Sequence, residues 1–352
     1  MNKIAGIGAF LVGSLITLFI CMPFMLSARD CTTPGAAAAN NAAGASSGAT
    51  ANTKVIEVGL LQLMSHPSLD DIRQGIYDGL AERGYTDGEN IRIEYENGQG
   101  DQTLLKTISD QFMADKKDYL VGIATPAAQA LANSSQDSVP VVISAVSDPV
   151  GVGLVKDNKA PGVNVTGTSD QAPVKAQLDL VKQIMPDAKR LGILYSSSSQ
   201  NVGESVAEAK RLAPEYGWSA VEATITTTND LAQVAEQLAG DVDMIFVPND
   251  NVIASAMPTL IAATDSRGVP VFPVVDAMVQ EGGLATVGIN QHQLGVDTGY
   301  ILADLIEGKK AAEYPIKFTD KVDTIVNLVK AKALGITIPA DLAASAKDVS
   351  AN

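Results

Sequence analysis

A chain of 352 residues with a net charge of −15 lacks the basic face that nucleic-acid phosphates require. Its length accommodates two domains of about 150 residues once an N-terminal segment is set aside. Both cysteines, Cys21 and Cys31, lie near the N-terminus, which excludes an internal disulfide or a thiolate metal site from Ala51 onward.

Lys3 precedes the uncharged apolar run Ile4–Leu26, long enough to span a bilayer, which takes about 20 residues. A positive residue ahead of it directs the body out of the cytoplasm. Residues 1–31 are therefore a hydrophobic signal or anchor segment. Three readings stay open: an uncleaved anchor, a signal peptide cut near Ala28, or a lipoprotein signal at Cys21 or Cys31. Leu26-Ser27-Ala28 is a poor cleavage site, and Ile20 and Asp30 stand where a lipoprotein signal has a small residue. Residues 32–53 are rich in Ala, Asn, Gly and Ser without apolar periodicity, the composition of a flexible linker.

The body alternates strands and helices. Val55–Leu61 reads as a buried strand, Met64–Ser68 as a polar turn, and Ser68–Arg83 as a helix with Ile72, Ile76 and Leu80 on one face. Ser68 or Asp70 is the expected cap. Strands follow at Ile91–Tyr95, Tyr119–Ile123 and Val139–Ser144, with helices around Asp101–Asp115 and up to Leu131. After Asp170 the pattern restarts. Helices at Pro173–Ile184, Val202–Tyr216 and Leu231–Leu238 interleave with strands at Arg190–Tyr195, Ala220–Ala223, Met244–Val247 and Val269–Phe272. This alternation implies βαβ units and mostly parallel sheets, an α/β fold.

The last segments add strand Leu284–Ile289, helix Gln293–Ile306 and strand Thr324–Leu328. A second lobe does not need them all. A return of the chain to the first lobe explains them, giving lobe one as 54–169 plus 290–316 and lobe two as 170–289 plus 317–342. Residues 343–352 are small and polar and are expected to form a frayed tail.

Chemical motifs are sparse. His66 and His292 are the two histidines and show no metal-ligand spacing. No GxGxxG, GxxxxGK[ST] or GxSxG sequence follows a strand. His66 in a turn could titrate near neutrality and act as a base; the plainer reading is a solvated or ligand-rim histidine. What remains is a set of polar turns at strand ends: Met64–Ser68, Thr125–Gln129, Ser144–Asp148, Tyr195–Asn201, Asn249–Asn251 and Asp276. Parallel α/β sheets bind ligands at that edge. Hydroxyls and helix starts suit a carboxylate, and carboxylates suit an ammonium. Each residue alone is also an ordinary cap or turn former. The inference rests on their convergence.

The stretches VGLLQLMSHPSLDDIRQGIYDGLAERGY, GIATPAAQAL, VVISAVSDPVGVGLV, NVTGTSD, LGILYSSSSQNV, IFVPNDN and VFPVVDAMVQEGGLATVGINQHQLGVDTGYILADLIEGKK resemble the substrate-binding components of ABC transporters. These have the type I periplasmic-binding-protein-like fold, and the chain is similar to the group that binds tryptophan and other aromatic amino acids. The resemblance covers Val55–Leu342. It implies two lobes, each a mostly parallel sheet flanked by helices, with three interlobe crossings and closure on a ligand. It implies a monomeric, non-enzymatic protein without cofactor at the extracytoplasmic membrane face, handing an amino acid-like solute to a permease and its ATPase. Carried onto matching positions, Thr125 and Ser147 or Asp148 face the ligand from lobe one. Tyr195, Ser196, Asn249, Asp250 and Asp276 face it from lobe two, and Met64 and His66 line the rim. Asp276, and after it Asp250, would take an α-ammonium; Thr125 and Ser196 would take an α-carboxylate; Tyr195 or Met64 would pack on the side chain. Nucleobase, sugar and peptide ligands are the alternatives, with an extracellular enzyme using His66 a further one. Trp218, the single tryptophan, sits away from the turns, which disfavours a sugar platform.

Overall fold

The computed structural model describes residues 55–351 apart from 320 and 321. The anchor, cleavage and linker expectations fall outside these residues.

Lobe one opens with β1 (Ile56–Gln62), α1 (Pro67–Glu82), β2 (Ile91–Asn97), α2 (Gln102–Ala114), β3 (Tyr119–Ile123), α3 (Thr125–Ser135), β4 (Val141–Ser144) and β5 (Val165–Ser169). The inner strands are buried along almost their whole length, as expected for a parallel sheet covered on both faces. Helix α1 starts one residue before the expected Ser68. Pro67 takes its first turn, where a missing N–H is harmless, and His66 is the N-cap without a side-chain cap bond. Gln62, fully buried at the end of β1, shapes the turn. Its Nε2 donates to Met64 O and to Asp70 Oδ1, both at 2.8 Å.

Lobe two contains α4 (Val174–Ile184), β6 (Arg190–Ser196), α5 (Gly203–Leu212), β7 (Ser219–Ile225), α6 (Leu231–Asp241), β8 (Met244–Val247), α7 (Asn251–Ala254), α8 (Met257–Asp265), β9 (Val271–Pro273), α9 (Asp276–Gln280) and β10 (Ala285–Ile289). The chain continues through α10 (Gln291–Ile306), β11 (Lys317–Phe318), β12 (Val322–Val326), α11 (Leu328–Ala333), α12 (Ala340–Ser345) and β13 (Lys347–Asp348).

The lobe-one sheet runs β11-β5-β4-β3-β1-β2, all parallel. Lobe two carries a parallel sheet β7-β6-β8-β9 and a small sheet β10-β12-β13. Among the described residues two large cores result, with a small third cluster of Val279, Ile325 and Val349. One gathers Leu60, Ile72, Phe112 and Ile143 with Leu294, Ile301 and Leu302 of α10; the other gathers Leu178, Leu191, Phe246, Phe272, Ala285 and Val326. The chain crosses between them after β5, at the end of β10 and after β11. Within β10, Val287 belongs to the second core and Ile289 to the first.

Two details differ from the sequence expectation. Lys317 and Phe318 pair with Thr168 and Ser169 of β5, so the last crossing falls after Phe318 rather than at 317. The polar tail is ordered around a short strand: Lys347 and Asp348 pair with Ile325 and Val326, and Val349 is buried against Val279 and Ile325. Too few apolar residues mark that strand for its own sequence to announce it.

Helix α10 is fixed to lobe one in two ways. Gly75 and Gly79 of α1 face Gly295 and Gly299 of α10 at backbone contact. On its sheet side, Thr298 Oγ1 donates to Leu294 O at 2.9 Å and meets Ser144 Oγ at 2.8 Å and Thr168 Oγ1 at 2.9 Å. All three hydroxyls are fully buried. Thr298→Val keeps the shape but strips Ser144 and Thr168 of their acceptor. A loss of about 1–3 kcal/mol is expected, visible as a drop of several degrees in Tm.

Candidate functional site: the interlobe cleft

Because both main sheets are parallel, the turns leaving β1, β3 and β4 share one edge, as do those leaving β6, β8 and β9. Hydrogen bonds show that the two edges meet. His66, after β1, holds Asn251 Oδ1 through Nε2 at 3.0 Å. Asp170, at the first crossing, accepts from Ser147 Oγ of lobe one at 2.8 Å and from Asn249 Nδ2 of lobe two. Burial pushes the Asp170 carboxyl up, opposed by those two donors.

The lobe-one wall is built from helix starts. Thr125 is the first residue of α3, whose N-cap, Ala124, has no side-chain cap bond and lies at φ 74°, ψ 154°. Ala145, at the end of β4, has φ 57°. Alanine rarely adopts either conformation, and such strain concentrates where a backbone is shaped for binding. Thr125 Oγ1 is buried without a hydrogen-bond partner in a residue only 1 % exposed. It stands at the positive end of the helix dipole, in a first turn where Thr125 and Ala127 carry N–H groups and Pro126 carries none. His66 is 6 % exposed, and its Nδ1 is likewise buried without a partner. Burial lowers its pKa, opposed by the Asn251 bond and the Asp70 charge. Met64 is half-buried against the lobe-one core, its methyl beside Gly100. Asp148 turns away: its Oδ1 accepts from Gly151 N at 2.8 Å and closes the following turn.

The lobe-two wall departs further from expectation. Asp250 is fully buried and occupied. Its Oδ1 accepts from Val252 N at 2.9 Å and Ile253 N at 3.1 Å as the cap of α7, and its Oδ2 accepts from Ser196 N at 2.5 Å. A carboxylate so saturated holds the ends of β6 and β8 together and is not free for an ammonium. Ser196 Oγ meets Ser198 Oγ at 2.8 Å inside its own turn and accepts from Ser198 N at 3.3 Å. Tyr195 donates to Glu222 Oε2 on β7 at 2.9 Å, where Glu222 also pairs with Lys210, and it packs half-buried against the lobe-two core. Asn249 bridges to Asp170, and its carbonyl accepts from Asn201 Nδ2 at 2.8 Å.

Asp276, the first residue of α9, differs from Asp250. Its Oδ1 accepts from Ala277 N at 2.9 Å, and among the described residues no side chain pairs with it. Burial raises its pKa to about 6; the Ala277 N–H lowers it, Asp71 of α1 raises it and Lys347 lowers it. Sequence reasoning did not single out Asn251, Asp170 or Gln62. Asn251 lay in a turn already noted, but its bond to His66 crosses between lobes and leaves no local signal. Among the described residues no group of three His, Cys, Asp or Glu side chains is placed to hold a metal. A cavity of about 810 Å³ beside Lys309, Tyr314 and Lys317 contains none of these turns.

Residues 57–350 match the profile of the family described as ABC transporter substrate binding protein. A tyrosine-binding protein of Clostridioides difficile (strain R20291) is 36 % identical over 285 residues, 81 % of this chain and 82 % of that protein. The structure of an ABC domain in complex with L-Trp from Streptococcus pneumonia is 43 % identical, with a TM-score of 0.80 over 83 % of this chain and 99 % of the other. A ligand-free, open substrate-binding protein with adhesive properties from Clostridium difficile is 38 % identical, with a TM-score of 0.67 over 84 % of this chain and 99 % of the other. The fold is that of the type I periplasmic-binding proteins, and the chain belongs to the ABC transporter substrate-binding proteins.

Proposed function

We propose that the cleft binds a single aromatic amino acid, delivered unchanged to the permease of an ABC importer and its ATPase. The observation that carries this reading is the start of α3. There a buried, unpartnered Thr125 hydroxyl and the N–H groups of Thr125 and Ala127, which no side chain caps, offer donors to a carboxylate. Asp276, with one oxygen uncommitted, takes the α-ammonium. Met64 packs along the ring, and Ser147, Asp170 and Asn249 fasten the lobes around it. The tyrosine-binding relative and the tryptophan complex support an aromatic ligand. Binding without turnover suits the chemistry present. Among the described residues His66 meets Asn251 through Nε2 and has no partner at Nδ1, a geometry suited to ligand contact. The apolar segment Ile4–Leu26 would keep this carrier at the extracytoplasmic membrane face.

A thermal-shift screen of the full chain against the twenty amino acids tests the reading. A ligand at about 100 times its Kd adds about 2.7 kcal/mol, so tyrosine or tryptophan is expected to raise Tm by several degrees. No shift from any aromatic amino acid would overturn it. Thr125→Val should lower affinity about tenfold or more while leaving the ligand-free Tm nearly unchanged, because the hydroxyl has no partner to lose.

A further inference from the structure

We infer that His66 selects the side chain of the ligand, its Nδ1 accepting the phenol O–H of tyrosine or the indole N–H of tryptophan. The inference rests on the aromatic amino-acid reading above and adds the group that discriminates among aromatic ligands.

The argument starts from the ring's partners. Asn251 Oδ1 is an acceptor, so the Nε2 that meets it at 3.0 Å carries the proton. A neutral imidazole protonated at Nε2 has a bare lone pair on Nδ1. Burial keeps the ring neutral by disfavouring the imidazolium, although the bond to Asn251 and the charge of Asp70 work the other way. The lone pair is buried, and no protein donor reaches it. Buried polar atoms rarely stay unpaired, and this one lies on a ring that spans the gap between the lobes.

A carboxylate cannot satisfy it, because two lone pairs would face each other. The aromatic ring of phenylalanine offers no donor. A phenol or an indole does, and the rest of either side chain is apolar. Asn251 acts here as a positioning residue: by accepting from Nε2 it fixes the tautomer that exposes Nδ1. It also ties recognition to closure, since it comes from the opposite lobe.

A site built around a hydrogen bond rejects the analogue lacking the group far more strongly than an apolar pocket does. Calorimetric titration of the full chain with L-tyrosine, L-tryptophan and L-phenylalanine reads this directly. Tyrosine or tryptophan is expected to bind at least about tenfold tighter than phenylalanine. In His66→Phe the preference should fall to about twofold or less, chiefly by loss of tyrosine and tryptophan affinity. Asn251→Leu, which leaves the ring in place but frees its tautomer, should also narrow the preference. Equal binding of all three by the unaltered protein would overturn the inference and leave the aromatic reading standing. So would an equal loss for all three in His66→Phe. If none of the three binds, the aromatic reading itself falls and this inference with it.

Discussion

Gly295→Ala is expected to destabilise the protein by about 3 kcal/mol or more, a large effect for a single methyl group. A Cβ at Gly295 would lie 2.1 Å from Ile72 O, 2.9 Å from Ile72 C and 3.0 Å from Gly75 Cα. All are backbone atoms of α1, so no flexible side chain can yield. The contact is reciprocal, since a Cβ at Gly75 would lie 2.1 Å from His292 O. Helices α1 and α10 would have to separate along their whole seam, and interiors packed like crystals do not absorb that displacement locally. Alanine's better helix propensity returns only about 1 kcal/mol. Gly240→Ala is the control. It sits in α6, and a methyl group there would meet nothing within 4 Å, so the same substitution should be neutral or slightly stabilising. Thermal unfolding should therefore separate the two variants, with a large fall in Tm for the first and none for the second. A Gly295→Ala protein as stable as its parent would contradict the packing described. Because α10 is the segment that returns the chain to lobe one, the loss should also reach the cleft.

Asp276→Asn should have opposite effects on stability and on binding. Burial lifts the carboxyl from its ordinary 3.8 to about 6. The folded state therefore holds its proton at pH values where the unfolded chain has released it. Stability falls as pH rises from about 4 through about 6 and is level above that. Asparagine removes this decline. The ligand-free variant should match the parent near pH 4 and exceed it at pH 7.5 by about 3 kcal/mol, the span between 3.8 and about 6. An α-ammonium reverses the sign, because it stabilises the ionised carboxylate. Amino-acid affinity of the parent should rise as pH increases through about 6, with a proton released on binding. The variant should lack that dependence and bind at least about tenfold more weakly at pH 7.5. Titrations at pH 5 and pH 7.5 compare the two. Unchanged affinity in the variant would remove Asp276 from the ligand's ammonium.

The architecture was readable because it is written in periodicity. Buried runs such as Val58–Leu61 and the spacing of Ile72, Ile76 and Leu80 give strand and helix from local sequence. The surplus of elements after Leu284 required a return to lobe one, and α10 makes it. The site was less legible. Asp250 and Asp276 are both aspartates beside a helix start after a strand in lobe two. They differ in how they are held: Asp250 accepts from three N–H groups spread over two segments, and Asp276 from N–H groups of its own turn. That difference depends on where β6 ends in space. Tyr195 and Ser196 are adjacent in one strand, so their side chains leave on opposite sides and could not both face one ligand. Asp170 and Asn251 act across the lobes, where sequence distance carries no signal.

Calorimetric titration of the purified full chain with L-tyrosine and L-tryptophan, followed by mass analysis of the recovered ligand, tests the central claim most directly. The expected result is one molecule of at least one of them bound per chain, with a Kd in the micromolar range or tighter, about −8 kcal/mol or better, and recovered unchanged. No heat of binding with either amino acid, or conversion of the ligand to a product, would contradict it.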